Sequence, residues 1–336
     1  MAACADDSCA VRNLTRQEKR EDFERDPVKA SSVRKNLRQD LLRISQEFFD
    51  GEDHFEESVR DVWDELIHTA CILPPDSPEI DRLVTLILEI RELGPLVRIA
   101  NDGRQQPAVM PDGQQLWSDL PYLFDELCQS WTADTTIFAL EEQASLPDSG
   151  RDSPNALRWA RLAALTAKLC AVGVLPEALS GFALWLFRDT LETEDPDEAR
   201  LLPACFEFLS HAHLRLAKMC AANHQPPAHE KRDGQLGSLA VRAGIEQSGF
   251  NIQRWLFWRR RFGELYLGGG AGVAGLARKC FELMVDTGLA LGIDIPGERK
   301  YLEKVLKALD KEVASLNYAV CMAAGSIRID PAWAEN

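Results

Sequence analysis

Between Phe250 and Tyr266 the chain reads Phe-Asn-Ile-Gln-Arg-Trp-Leu-Phe-Trp-Arg-Arg-Arg-Phe-Gly-Glu-Leu-Tyr, which brings two tryptophans and four arginines together. Guanidinium groups can grip carboxylates and phosphates in bidentate geometry, but with its aromatics on one side this residue set anchors a fold better than it announces a reaction. Ile252, Trp255, Phe262 and Tyr266 recur near helical spacing, with Trp258 and Leu265 on an adjoining row. The pattern predicts an amphipathic helix with its arginines largely on the remaining surface. From Pro226 to Gly263, Lys231, Arg232, Arg242, Arg254, Arg259, Arg260 and Arg261 stand against Glu230, Asp233 and Glu246, a local balance of +4. Two readings follow. Arg254, Trp255, Trp258, Arg260 and Arg261 form a partner- or anion-docking face, or the arginines pair with surplus carboxylates of neighbouring helices.

Other sets of chemical residues carry less. Gly270-Ala271-Gly272-Val273-Ala274-Gly275 spells a dinucleotide fingerprint, but that motif needs a strand before it and a parallel sheet around it, whereas a predicted helix precedes it here. It reads as a helix-to-helix linker, and no cofactor is expected. His213, Cys220 and His224 lie seven and four residues apart, while His211 and His213 point to different helix faces, so no metal site is expected. Glu192, Glu194, Asp195, Asp197 and Glu198 surround Pro196; without a second facing cluster they read as a solvated cap on the helix that follows. No local nucleophile signature is present.

A formal net charge of -15 argues against nucleic acid and anionic membrane surfaces as partners. The nine cysteines, at positions 4, 9, 71, 128, 170, 205, 220, 280 and 321, are odd in number and widely scattered, as expected of buried thiols in a reducing compartment. Asp6 and Asp7 with no apolar run exclude a secretory signal at the N-terminus, and no apolar run is long enough to span a bilayer. The expectation is a cytoplasmic or nuclear protein.

The elements that must position these residues are all helices. Val33, Leu37, Leu41, Ile44 and Phe48 predict a first helix ending near Gly51; Phe55, Val59, Val62, Leu66 and Ile67 a second; Ile80, Leu83, Val84, Ile87 and Ile90 a third, capped by Ser77 with Pro78 at its first position. Residues 101–113 read as a loop, and Ser118 or Asp119 as the cap of a helix running through Leu123, Phe124, Leu127 and Trp131. Long helices follow near 155–171, 176–192 and 198–222, then an irregular stretch at 223–249. A last helix near Pro296 turns Leu302, Leu306, Leu309, Val313 and Leu316 to the core. The expected organisation is a mobile polar tail at 1–26, one compact all-α domain of stacked amphipathic helices at 27–320 with a layer boundary at 145–154, and a C-terminal tail at 321–336.

Leu116-Trp117-Ser118-Asp119-Leu120-Pro121 followed by Trp131, Arg158-Trp159, Leu191-Glu192, Gly249-Phe250, Arg254-Trp255 and Phe257-Trp258 together resemble the fungal domain-of-unknown-function family 3632 over about residues 55–290. The resemblance implies an all-helical fold and brings no established reaction and no catalytic residues. Two function readings stand: a non-catalytic helical interaction or regulatory module that binds a small ligand or partner helix, and an enzyme acting on an apolar metabolite in a helical cavity.

Overall fold

The computed structural model describes residues 30–51, 55–100, 102–141, 154–194, 198–226 and 235–291, with 303, 304, 306, 307 and 310. The expected tails, the layer boundary at 145–153, His54, Asp195, Asp197, Lys231, Arg232 and most of the last helix lie outside them. The fold is all-α: ten helices and one two-stranded hairpin among the described residues. The chain divides into two compact units, residues 1–169 and 170–336.

In the first unit, α1 (Ala30–Asp50) buries the expected stripe Val33, Leu37, Leu41, Ile44 and Phe48. Each such side chain contributes about 1.5–3 kcal/mol of burial. Gly51, at φ +110°, follows the helix in a conformation that side chains resist. The buried stripe packs α1 against α2 (Glu56–Ile72) and α3 (Pro78–Glu92). Ser77 caps α3 as expected, its hydroxyl accepting the Glu79 N–H at 3.3 Å.

Two local readings are corrected here. Residues 101–113 do not form a plain loop: Val97–Ile99 (β1) and Gln105–Pro107 (β2) pair antiparallel. Arg98 fastens this hairpin to the end of α1, donating to the Phe48 carbonyl at 2.6 Å while its Nε and Nη2 reach Gln106. Neither Ser118 nor Asp119 caps the next helix. Asp119 accepts from the Gln115 N–H at 2.7 Å, and Leu120 and Tyr122 take φ of 53° and 64°, so α4 (Leu123–Glu141) begins only after this turn. The turn is held from outside, because the Trp63 indole on α2 donates to the Pro121 carbonyl at 2.9 Å.

Trp117 donates to Ser45 Oγ at 2.8 Å, and Ser45 passes a bond to the Leu41 carbonyl at 3.1 Å. In α5 (Pro154–Ala171), Trp159 lies 4.8 Å from Trp131 between ring centroids, and Thr166 accepts the Trp131 N–H at 3.4 Å.

The second unit holds α6 (Pro176–Leu191), α7 (Glu198–Ala221), α8 (Ser238–Arg242), α9 (Ile252–Gly268) and α10 (Ala271–Leu291). α8 interrupts the stretch expected to be irregular throughout. α10 packs on α7 and α9, and α6 packs on α7. Asn251 caps α9 by accepting the Arg254 N–H at 2.8 Å. The Gly270–Gly275 motif sits at the start of α10 directly after α9, so the segment before it is helical. Leu306 is 60% exposed, against the expectation that it faces the core. No helix among the described residues is long and apolar enough to cross a membrane.

Ser45→Ala strands the buried Trp117 N–H and should cost about 1–3 kcal/mol. The check is a lower urea midpoint at unchanged slope; an unchanged midpoint would show that the bond carries no stability.

Candidate functional site

Glu192 caps the C-terminal end of α6, and its place in an acidic run predicts a solvated side chain. It is instead fully buried, and this corrects the sequence reading. The reason is what the rest of the unit supplies. Arg254 and Trp258 stand one turn apart on α9, which puts both on one face of that helix. Glu192 Oε1 accepts from Arg254 Nε at 2.6 Å and from Trp258 Nε1 at 2.7 Å. Oε2 accepts from Arg254 Nη2 at 3.1 Å and from the Gly237 N–H at 2.8 Å. The Glu192 carbonyl accepts the Leu239 N–H at 2.8 Å, so main chain and side chain together hold the segment that enters α8.

The guanidinium is equally well supplied. Arg254 Nη1 donates to the Gly249 carbonyl at 3.0 Å and Nη2 to the Gln235 carbonyl at 2.9 Å. Around the pair stand aromatic rings: Phe187 at 4.9 Å and Phe250 at 6.4 Å from Trp258, both edge-on. Two glycines permit close approaches around it. A Cβ at Gly237 would come within 2.5 Å of the Glu192 carbonyl oxygen, and Gly249 combines φ +70° with a Cβ position 2.3 Å from Gln225 Oε1.

A charged pair without water returns its desolvation cost only when each lone pair and each N–H finds a partner. Here both carboxylate oxygens and the Nε, Nη1 and Nη2 atoms of the guanidinium are bonded to protein groups, and the arrangement leaves the carboxylate closed to substrate.

The five residues singled out in the sequence do not share one surface. Arg254, Trp255 and Trp258 are fully buried. The Arg260 side chain is 45% exposed and pairs with Glu264 at 3.6 Å, with its guanidinium 5.3 Å from the centre of the Phe257 ring. Arg261 is 18% exposed, held by Glu264 at 2.5 Å and by the Leu191 carbonyl at 3.0 Å. Arg242 pairs with Glu194. Arg259, expected at the surface, is buried. Internal pairing therefore accounts for Arg254, while Arg260 and part of Arg261 face outward.

Sequence reasoning missed Glu192 and Gly237 as partners of this helix. One signal pointed at the former: Leu191-Glu192, Gly249-Phe250, Arg254-Trp255 and Phe257-Trp258 all carried the family resemblance, and these segments meet here.

The other candidates do not assemble. His213 Nδ1 lies 2.8 Å from the Leu209 carbonyl, and the His224 ring lies 6.5 Å from that of Phe250. Among the described residues no group of three or more His, Cys, Asp or Glu is placed to hold a metal ion. The six described cysteines are free, and five of them are buried. Burial pushes the Cys170 thiol up to about 11 and that of Cys205 up to about 12; Cys220 and Cys280 are also raised by burial. Such thiols are poor nucleophiles.

Fold and site together define an all-helical protein with a dense polar cluster buried around Glu192. The chain belongs to the DUF3632 family, described as protein of unknown function, whose sequence model matches residues 63–262. It is 25% identical over 285 residues, 78% of this chain and 70% of the relative, to oxopyrrolidines biosynthesis cluster protein G of Penicillium oxalicum. No solved structure matches it significantly.

Glu192→Met and Arg254→Met each leave one buried charge alone and should each cost about 3–5 kcal/mol, whereas the double variant should cost less than the sum. Urea denaturation of the cycle measures this, and additive losses would refute the coupling. A thiol's ordinary value is 9.0, so above that pH the unfolded chain ionises while Cys170 and Cys205 keep their protons. Their contribution is complete below about pH 9 and is lost as pH rises through about 11 and 12. Alkylation mapped by mass should find both protected in the native protein at pH 8 and reactive after unfolding; native labelling of either would contradict the burial.

Proposed function

We propose that this chain is a non-catalytic helical interaction module that works in the cytoplasm or nucleus beside a set of biosynthetic enzymes. The observation that carries this reading is the closure of Glu192, Arg254 and Trp258. Glu192 is fully buried and bonded on both carboxylate oxygens to its own protein. Free thiols support a reducing compartment. The name of the Penicillium relative, a biosynthesis cluster protein, supports an accessory role. The net charge of -15 weighs against nucleic acid. The outward part of α9, with Arg260 and Arg261, is the contact surface for a carboxylate-bearing partner.

Native mass spectrometry of the protein purified from its own host should show a retained protein or small molecule. Arg260→Ala with Arg261→Ala should lower the retained fraction at least about tenfold, equivalent to about 1.4 kcal/mol, with the fold intact. Arg254→Ala should instead lower the yield of folded protein. A chain carrying no added mass, or retention indifferent to Arg260 and Arg261, would overturn the reading.

A further inference from the structure

Residues 235–249 lie against the Glu192–Arg254 pair and are attached to the rest of their unit at few other points. Their one helix, α8, closes its own bonds: the N–H groups of Val241, Ala243 and Ile245 donate to the carbonyls of Gly237, Leu239 and Ala240 at 3.1, 3.0 and 3.1 Å. Ala240 and Ile245 are the buried side chains of the segment, whereas Val241 is 57% exposed.

The bonds that leave the segment converge. The N–H groups of Gly237 and Leu239 donate to the Glu192 side chain and carbonyl, both at 2.8 Å, and the carbonyls of Gln235 and Gly249 accept from Arg254. Among the described residues the others are a surface pair of Arg242 with Glu194, bonds between Gln225 and Ser248, and one from Asn251 to the Gln247 carbonyl. The bonds of Ser248 and Gln247 lie beside Gly249, whose φ of +70° is open to glycine at no steric cost. Beyond Gly249, Phe250 and Asn251 are buried and α9 begins. The segment thus has a pivot at its end and is fastened ahead of it by Glu192 and Arg254.

We propose that residues 235–249 are a strap that opens as one unit about Gly249, with Glu192 and Arg254 as its latch. Segments with few buried apolar contacts open at a lower free energy than the core around them. Here the polar attachments meet on two residues, so their loss frees the strap together instead of bond by bond. Opening takes the Gln235 and Gly249 carbonyls from Arg254 and the Gly237 N–H from Glu192. The guanidinium, the carboxylate and the Trp258 indole that donates to it then meet water. The closed strap withholds this polar group, and the open one presents it, while α6, α7 and α9 keep their packing.

Hydrogen exchange of the full chain, followed by NMR at low urea concentrations, tests this. The amides of Gly237, Leu239 and Ile245 should share one opening free energy and one small urea slope. They should exchange at least about tenfold faster than amides at the centres of α7 and α9. The Trp258 indole N–H should exchange with the strap, while the Trp258 amide keeps the protection of α9. A methyl at Gly237 would sit 2.5 Å from the Glu192 carbonyl oxygen, so Gly237→Ala should speed the strap amides at least about tenfold further and leave α7 and α9 unchanged. Ile245→Ala, which removes an apolar anchor, should act in the same direction and serves where Gly237→Ala does not fold. Strap amides as protected as those of α9 overturn the proposal, as do unrelated opening free energies among the three. A Trp258 indole that exchanges only with the α9 amides, or an Ile245→Ala that loosens α9 equally, overturns it as well.

Discussion

A carboxylate drawn out of water needs as many donors inside the protein as it left behind, and in this chain that requirement falls on Glu192. Its two oxygens take bonds from Arg254, Trp258 and the main chain at Gly237. The arginine then takes up the carbonyls of Gln235 and Gly249. Among its described residues, the connection that leads into α9 contains the five-residue α8 and the two sterically constrained glycines, Gly237 and Gly249, and its buried apolar residues are Ala240, Ile245 and Phe250, so apolar burial holds it at few points. Its backbone polar groups still require partners once buried. The ion pair answers both needs, since the groups that neutralise the carboxylate are the same groups that fasten the connection.

The first unit solves a related problem with fewer charges. Indole N–H groups of Trp63, Trp117 and Trp131 tie α2, the turn before α4, and α4 to a carbonyl or hydroxyl elsewhere in the unit. A tryptophan suits this use because its ring fills core volume while its single donor fixes orientation. Glu126, 3% exposed, meets Arg60 at 2.9 Å, and the Arg60 guanidinium lies 4.0 Å from the centre of the Tyr122 ring. Irregular backbone in both units is therefore held by side chains projecting from regular helices.

How far the sequence could be read follows from the range of the forces involved. The stripe from Val33 to Phe48 and the Ser77 cap of α3 are local consequences of spacing and of one side chain near its own backbone, and both appear in the structure as expected. The hairpin at 97–107 lacks strong strand periodicity; it depends on Arg98 reaching a carbonyl 50 residues away. Glu192 was obscured by its acidic neighbours, because composition assigns a run of carboxylates to solvent and cannot show that one member meets an arginine 62 residues later. Arg254 and Arg259 misled in the opposite direction. Charge placed them outside on the helical wheel, while the buried Glu192 carboxylate drew Arg254 in and Arg259 is buried as well.

The separation along the chain between Glu192 and its donors has a consequence for synthesis. A ribosome makes residue 192 well before 237, 254 and 258, and during that interval the carboxylate has no partner that would let it leave water. The end of α6 must stay hydrated until the chain has grown through Trp258, even though the aromatic residues before it are ready to collapse. Burial of Glu192 therefore waits on the segment through Trp258, and a nascent chain halted between those points keeps this carboxylate in water.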